Sequence, residues 1–128
     1  MELDLAKKIF KLMCIQRAFE EKCYYLFLQG KMPSSIHQSH GQEASQVASI
    51  ISLREDDWLF AGHRSVGHYL TKGITPRLLM AELLQKSTGC SGGMGGALHF
   101  SNAEFYCPPG AGILGSSYTH GTGAALAC

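Results

Sequence analysis

A glycine-dense stretch with almost no charge runs from Gly89 to Gly123, and Glu104 is the only Asp, Glu, Lys or Arg residue in it. Glycine clusters follow one another there: GCSGGMGG, PPGAGILG and HGTG. Long helices and strands are disfavoured in such a stretch, because glycine loses more conformational freedom on folding than any other residue. Loops of this length inside a compact chain usually have a function, and glycine backbone can closely approach a flat ring or a phosphate. We therefore expect residues 89–123 to form binding loops.

Helical patterns dominate the remainder of the chain. Residues 3–29 place apolar side chains at mostly three- and four-residue spacing, which predicts one long amphipathic helix that ends at Gly30. Thr75 and Pro76 suit the N-cap and the first position of another helix, because proline needs no hydrogen-bond donor there. Further helices are predicted over 42–53, over 64–72 with Gly73 as its stop, and over 121–128.

Two short apolar segments, around 57–60 and 96–100, are the candidates for strands. An alternation of apolar strand, glycine turn and helix is typical of an α/β domain, in which helices flank a parallel sheet. Two strands are too few for such a sheet. The predicted fold class is therefore α/β, with residues 1–128 forming an incomplete domain that is the front part of a larger one.

Composition excludes several classes of partner. The 11 Lys and Arg residues nearly balance the 10 Asp and Glu residues, so no strong positive charge attracts nucleic acid or an anionic membrane. The longest apolar runs, such as 47–53, are far shorter than the roughly 20 residues that cross a bilayer. Five cysteines without a CxxC pair or a secretory leader favour a reducing compartment, the cytoplasm or an organelle matrix.

The six histidines raise the hypothesis of a metal site. Zinc sites need three or four converging ligands. His37 and His40 are three residues apart and His63 and His68 are five apart, without thiolates or carboxylates at ligand spacing. No metal site is therefore predicted from these residues. The motif GAGILG at 110–115 matches a dinucleotide fingerprint, but two prolines precede it where a strand should lead into the turn.

Arg64 lies in the stretch AGHRSVGHYLTKG, at the expected start of the helix over 64–72. Its guanidinium is a forked donor with a full charge, and a helix start also favours an anion. A phosphate is therefore the ligand that this arginine suits best. The competing interpretation is a surface ion pair with the acidic turn at 55–57.

Five segments in order resemble the alpha subunit of thiamin diphosphate-dependent 2-oxo acid dehydrogenases of the pyruvate and acetoin type. They are RAFEE, the histidine and GQEA at 37–44, HRSVGHYLTKG, AELLQKSTGCSGGMGGALH and GILGSSYTHGTGAALA. The resemblance covers nearly the whole chain from about residue 5 onward. It implies a thiamin diphosphate-binding fold and an oxidoreductase that decarboxylates a 2-oxo acid and passes the acyl group to a lipoyl arm.

The resemblance also implies roles for particular residues. Arg64 contacts the cofactor diphosphate, with His63 beside it in a position where the family has tyrosine or histidine. His37 lines the active site as the candidate catalytic residue. Backbone atoms of Gly112 and Leu114 hold the aminopyrimidine ring. The cofactor loops are accordingly expected at 61–73 and 89–123, and His68 is expected to be structural.

The family pattern further implies a heterotetramer with a beta subunit, which supplies the carboxylate that activates the cofactor, and a lipoyl-bearing dihydrolipoyl acyltransferase as partner. The magnesium ligands are expected beyond residue 128, and a fragment of this length is expected to be inactive alone. The sequence departs from the family at Met94, where a basic residue is usual, and at Ala97, where serine is usual. Other classes remain open: a transketolase-like half chain, a nicotinamide dehydrogenase, or a noncatalytic truncated remnant.

Overall fold

The computed structural model describes residues 3–33 and 35–128, so Met1, Glu2 and Ser34 lie outside the described residues. The elements, in chain order, are α1 (Leu3–Leu28), α2 (Glu43–Ile50), α3 (Val66–Lys72), α4 (Pro76–Leu83), a short 3-10 helix (Ala103–Phe105) and α5 (Ser116–Ala127). None of the described helices is long and apolar enough to cross a membrane.

The helix ends follow from the residues that the sequence placed there. Gly30, two residues after the end of α1, has a φ of +66°, and Gly73, which caps α3, has a φ of +115°. Both angles lie in the left-handed region that favours glycine. The Thr75 side chain caps α4 by accepting a hydrogen bond from the amide of Leu78 at 3.3 Å. These three predicted boundaries are confirmed. The helix predicted over 42–53 is shorter, at Glu43–Ile50, and the one predicted over 121–128 begins earlier, at Ser116, so the predicted loop region over 89–123 ends before α5.

The predicted strands around 57–60 and 96–100 are wrong. The described part of the chain has no strand, only an isolated antiparallel bridge between Asn102 and Cys107, so the expected parallel sheet is not observed. Each segment instead bonds to a loop: the amide of Leu59 donates to Tyr106, and the carbonyl of Phe100 accepts from Gly110. Without a neighbouring strand, single bonds of this kind do not build a ladder.

The core forms where α1, α2 and α3 pack against one another and α4 covers one side. Tyr69 of α3 and Phe100 of the glycine-dense stretch are fully buried, and their rings lie 5.4 Å apart at 77°. This contact anchors the loops on the helices. The helix predicted over 64–72 begins only at Val66, so Arg64 and His63 lie in the loop that leads into it.

Candidate functional site

Two histidines from separate segments meet at the candidate site. His37 lies in the connector between α1 and α2, and His63 lies in the loop before α3. Their ring centroids are 5.5 Å apart and the rings are nearly perpendicular, at 83°. The Nδ1 atom of His37 is buried and has no hydrogen-bond partner among the described residues. The fold therefore brings the candidate catalytic residue against a candidate cofactor residue.

Arg64 presents an exposed guanidinium beside this pair of histidines. One of its nitrogens donates a hydrogen bond to the carbonyl of Gln38, the residue after His37. The competing surface ion pair with the acidic turn is not observed, because Asp56 and Asp57 pair with Arg54 instead. Within residues 3–33 and 35–128 no carboxylate lies within ion-pair distance of Arg64. Its positive charge is therefore available to an anion.

A buried glutamine of α2 fixes the backbone of the arginine loop. The Nε2 atom of Gln46 donates to the carbonyl of Arg64 at 2.8 Å, and its Oε1 atom accepts from the amide of Gly67 at 2.9 Å. Gln16 of α1 donates to the same oxygen at 3.0 Å. These hydrogen bonds between buried side-chain amides and the backbone link α1 and α2 to the loop before α3.

The connector that carries His37 is fixed by a buried carboxylate of α1. Glu20 accepts hydrogen bonds from the amide of Ser39 at 2.8 Å and from its hydroxyl at 2.5 Å. The carbonyl of Glu20 accepts from the side chain of Gln38 at 2.7 Å. Gln38 and Ser39 are thus tied to α1, and the carbonyl of Gln38 in turn accepts a hydrogen bond from the Arg64 guanidinium. These contacts couple the His37 segment to the Arg64 segment.

The sequence interpretation missed these network residues. Gln16 and Glu20 are four residues apart on α1 and share its buried face with Phe19 and Cys23. A polar residue on the apolar face of an amphipathic helix is the signal that could have identified them, because a buried polar group needs a partner.

Gly112 and Leu114 lie on an exposed loop between the 3-10 helix and α5. The amide of Ala111 donates to the carbonyl of Ala61 at 3.0 Å, which places this loop beside the segment that leads to His63. Leu114 is 76% exposed. No strand enters the GAGILG turn in the described chain, so the dinucleotide interpretation lacks the strand that it requires.

A second buried carboxylate organises the first glycine cluster. Glu82 of α4 is fully buried, and its two oxygens accept from four backbone amides. The distances are 2.7 Å for Ser91, 2.9 Å for Gly93, 2.7 Å for Gly95 and 3.2 Å for Gly96. Four of the six amides in 91–96 therefore bind the protein's own carboxylate. This part of the predicted binding loops does not offer those amides to a ligand.

Residues 11–128 match the family model described as "Dehydrogenase E1 component". The chain belongs to the dehydrogenase E1 component family. It is 38% identical over 120 residues to the pyruvate dehydrogenase E1 component subunit alpha of Rhizobium meliloti, covering 94% of this chain and 34% of the relative. It is also 34% identical over 122 residues to the chloroplastic pyruvate dehydrogenase E1 component subunit alpha-3 of rice, covering 95% of this chain and 29% of the relative.

A third relative is the subunit alpha of acetoin:2,6-dichlorophenolindophenol oxidoreductase from Bacillus subtilis, at 36% identity over 110 residues, 86% of this chain and 33% of the relative. The chain thus spans about a third of the length of these relatives. All of the sequence-predicted site residues of this E1 chain fall inside the matched range.

The other reactive side chains of this E1 chain do not form a competing site. Burial raises the pKa of the Cys23 thiol to about 12 and that of Cys107 to about 11, so both stay protonated at neutral pH. His68 lies within α3, and burial lowers its pKa. This burial agrees with a structural role. Among the residues that the structure describes, no three His, Cys, Asp or Glu side chains are grouped to hold a metal ion.

Proposed function

We propose that this chain provides part of the alpha subunit of a thiamin diphosphate-dependent 2-oxo acid dehydrogenase. Its substrate is pyruvate or, by a related cleavage, acetoin, and the acyl group passes to a lipoyl group. The names of the relatives support this proposal, since two are pyruvate dehydrogenase alpha subunits and one is an acetoin oxidoreductase alpha subunit. The observation that carries it is the meeting of His37, His63 and Arg64, which come from two separate segments.

The residues fit the diphosphate of the cofactor. Arg64 is exposed and its guanidinium has no acidic partner within the described ranges, while Gln46 holds its backbone in place. A guanidinium matches the geometry of phosphate oxygens, and charge-assisted bonds of this kind are roughly twice as strong as neutral ones. Arg64 would therefore hold the diphosphate, with His63 beside it.

The residues also fit the ring end of the cofactor. The exposed backbone of Gly112 and Leu114 would hold the aminopyrimidine ring, beside the segment that leads to His63. When bound, thiamin diphosphate supplies the nucleophilic carbon and the electron sink that decarboxylation requires. The imidazole of His37, anchored through its neighbours Gln38 and Ser39, would face the substrate and exchange a proton with it.

Magnesium does not fit a site within the described residues, because they contain no group of three His, Cys, Asp or Glu side chains suited to a metal. No residue of the chain is assigned to it. The proposed partners are a beta subunit of the same enzyme and a lipoyl-bearing dihydrolipoyl acyltransferase. Both proposals rest on the family, since the relatives are named as alpha subunits.

The test uses the protein that carries this chain, assembled with its beta subunit. Thiamin diphosphate is titrated in the presence of magnesium, and reductive acylation of a lipoyl domain is then measured with pyruvate, acetoin and a branched 2-oxo acid. Saturable binding with acylation from pyruvate or acetoin is expected. Absence of cofactor binding would overturn the proposal, and binding with turnover of sugar phosphates alone would replace it by the transketolase-like alternative.

A further inference from the structure

His99 closes the first glycine cluster, and neither the sequence patterns nor the family resemblance gave it a role. We propose that His99 is a positioning residue that holds the backbone from Gly110 to Gly112 in its binding conformation through the Nδ1 atom of its ring. This proposal rests on the proposed function only in naming thiamin diphosphate as the ligand of this backbone. The contacts that support it lie within the chain itself.

The first contact is a short hydrogen bond between His99 Nδ1 and the carbonyl of Gly110, at 2.6 Å. A carbonyl oxygen can only accept, so Nδ1 must carry the proton. In the neutral ring Nε2 is then the nitrogen without a proton, and the tautomer is set by the loop. The bond ties residues that are 11 positions apart in the chain.

The second contact is the edge of the ring against Gly112. A Cβ atom at Gly112 would lie 3.3 Å from Cε1 and 3.6 Å from Nε2 of His99, so the imidazole packs directly against this glycine. One side chain therefore contacts the loop at both Gly110 and Gly112. A side chain that touches a loop at two points restricts its conformation more than a single bond does.

Gly110 is the point where the loop meets the rest of the site. Its amide donates to the carbonyl of Phe100 at 3.2 Å, and the next amide, of Ala111, donates to Ala61 at 3.0 Å. With His99 on its carbonyl, Gly110 has both backbone groups bonded. The bond from His99 therefore helps to hold Gly112 beside the segment that leads to His63 and Arg64.

His99 is itself held by the glycine cluster. Its amide donates to the carbonyl of Gly95 at 3.3 Å, and the amide of Gly95 donates to Glu82 at 2.7 Å. The hydroxyl of Ser91 holds the backbone just after His99, because it accepts a hydrogen bond from the amide of Ser101 at 2.8 Å. The buried carboxylate of Glu82 thus fixes the cluster, the cluster fixes His99, and His99 fixes the Gly110 carbonyl.

The test compares His99→Asn, His99→Gln and His99→Ala in the protein assembled with its beta subunit. Asparagine places an amide nitrogen near the position of Nδ1, whereas glutamine reaches the position of Nε2. Amide hydrogen exchange at Ala111 and the affinity for thiamin diphosphate are measured. In H99A and H99Q, exchange of the Ala111 amide is expected to be about fivefold faster, and the affinity for thiamin diphosphate about fivefold lower, than in the wild type. A factor of about five is the effect of losing one neutral hydrogen bond. H99N is expected to stay close to the wild type.

The outcomes separate this role from others. Rescue by H99Q instead of H99N would overturn the proposal in favour of direct contact between Nε2 and the ligand. Unchanged exchange in all three variants would also overturn it. Lys11→Ala removes an exposed side chain of α1, outside the proposed cofactor loops, and is expected to change neither measurement. If the wild type does not bind thiamin diphosphate, the proposed function fails, while the exchange pattern still decides the role of His99.

Discussion

The side-chain amide of Gln46 donates a hydrogen bond to the backbone carbonyl of Arg64 at 2.8 Å. This bond joins α2 to the loop before α3, so the backbone of the arginine is fixed while its guanidinium remains exposed. A charged group on a fixed backbone loses less conformational freedom when a ligand binds than one on a mobile loop. The guanidinium of Arg64 is therefore preorganised for anion binding.

Arg64→Ala should weaken the binding of thiamin diphosphate by about 1.5 to 3 kcal/mol, the range for a hydrogen bond to a charged group. The affinity of Arg64→Lys should lie between those of Arg64→Ala and the wild type, because lysine keeps the charge but loses the forked geometry. Calorimetric titration of the protein assembled with its beta subunit, at constant magnesium, measures both effects. An affinity of Arg64→Ala equal to that of the wild type would contradict the phosphate role.

Arg54→Ala is the matched control for that titration. Arg54 is an exposed arginine ten residues earlier, and its Nη2 atom pairs with Asp57 at 2.8 Å. Its removal changes the net charge by the same amount and should leave cofactor affinity unchanged. An equal loss in both variants would assign the effect to overall charge rather than to a contact at the site.

The helices were predictable because local signals determine them. Thr75 and Pro76 start α4, Gly73 stops α3, and the three- and four-residue spacing of apolar side chains defines α1. The strands were not predictable, because a strand exists only where another strand pairs with it. Short apolar segments such as 57–60 have no such partner in the described chain and bond to a loop instead.

The candidate site was predictable only in part. Motif resemblance named Arg64 and His37, but it gave no sign that Gln38 would accept from the arginine or that Glu20 would hold Ser39. Such contacts join residues far apart in the chain and depend on how the helices pack. Glu82 carried a readable signal, since it lies three residues after Leu79 on the buried face of α4.

The Arg17 and Glu43 pair makes stability depend on pH. Arg17 Nε lies 2.7 Å from Glu43 Oε1, and this hydrogen bond lowers the pKa of the Glu43 carboxyl from its usual 4.5 to about 2. A carboxyl whose pKa is lower in the folded state stabilises the fold above its unfolded pKa. This contribution should be lost as the pH falls from about 4.5 towards about 2. Urea unfolding across that range measures it.

Arg17→Gln should raise the pKa of Glu43 towards its usual value and flatten the pH dependence of the free energy of unfolding. Lys8→Gln removes the same charge from an exposed position on α1 and should leave the pH dependence as it is. Identical curves for Arg17→Gln and the wild type would show that the pair does not contribute to stability in solution.

Glu82→Ala should destabilise the chain by about 2 kcal/mol, because it leaves four partly buried amides without their acceptor. Glu82→Gln should cost less, since it keeps one oxygen, but its amide group turns a donor towards other donors. Chemical unfolding and amide exchange over 91–96 measure the two effects. Glu104→Gln, at an exposed carboxylate, is the control and should change neither. Protection of those amides in Glu82→Ala equal to that of the wild type would contradict the assignment.

Gly67 lets α3 approach α1 and α2 closely enough to share their buried amides. A Cβ atom there would collide with the side-chain oxygens of Gln16 and Gln46. Gly67→Ala should therefore destabilise the fold by about 1 to 3 kcal/mol, the usual cost of overpacking. It should also speed exchange of its own amide, which donates to Gln46.

Gly123→Ala gives the opposite expectation for the same substitution. Gly123 lies inside α5, and none of the described atoms comes within 4 Å of the position that its Cβ would take, apart from its own neighbours. Alanine should then stabilise the helix by up to about 1 kcal/mol, because it loses less backbone freedom than glycine. Thermal unfolding of Gly67→Ala and Gly123→Ala measures both effects on stability. A stabilising Gly67→Ala would show that α3 does not pack as closely in solution as the buried network requires.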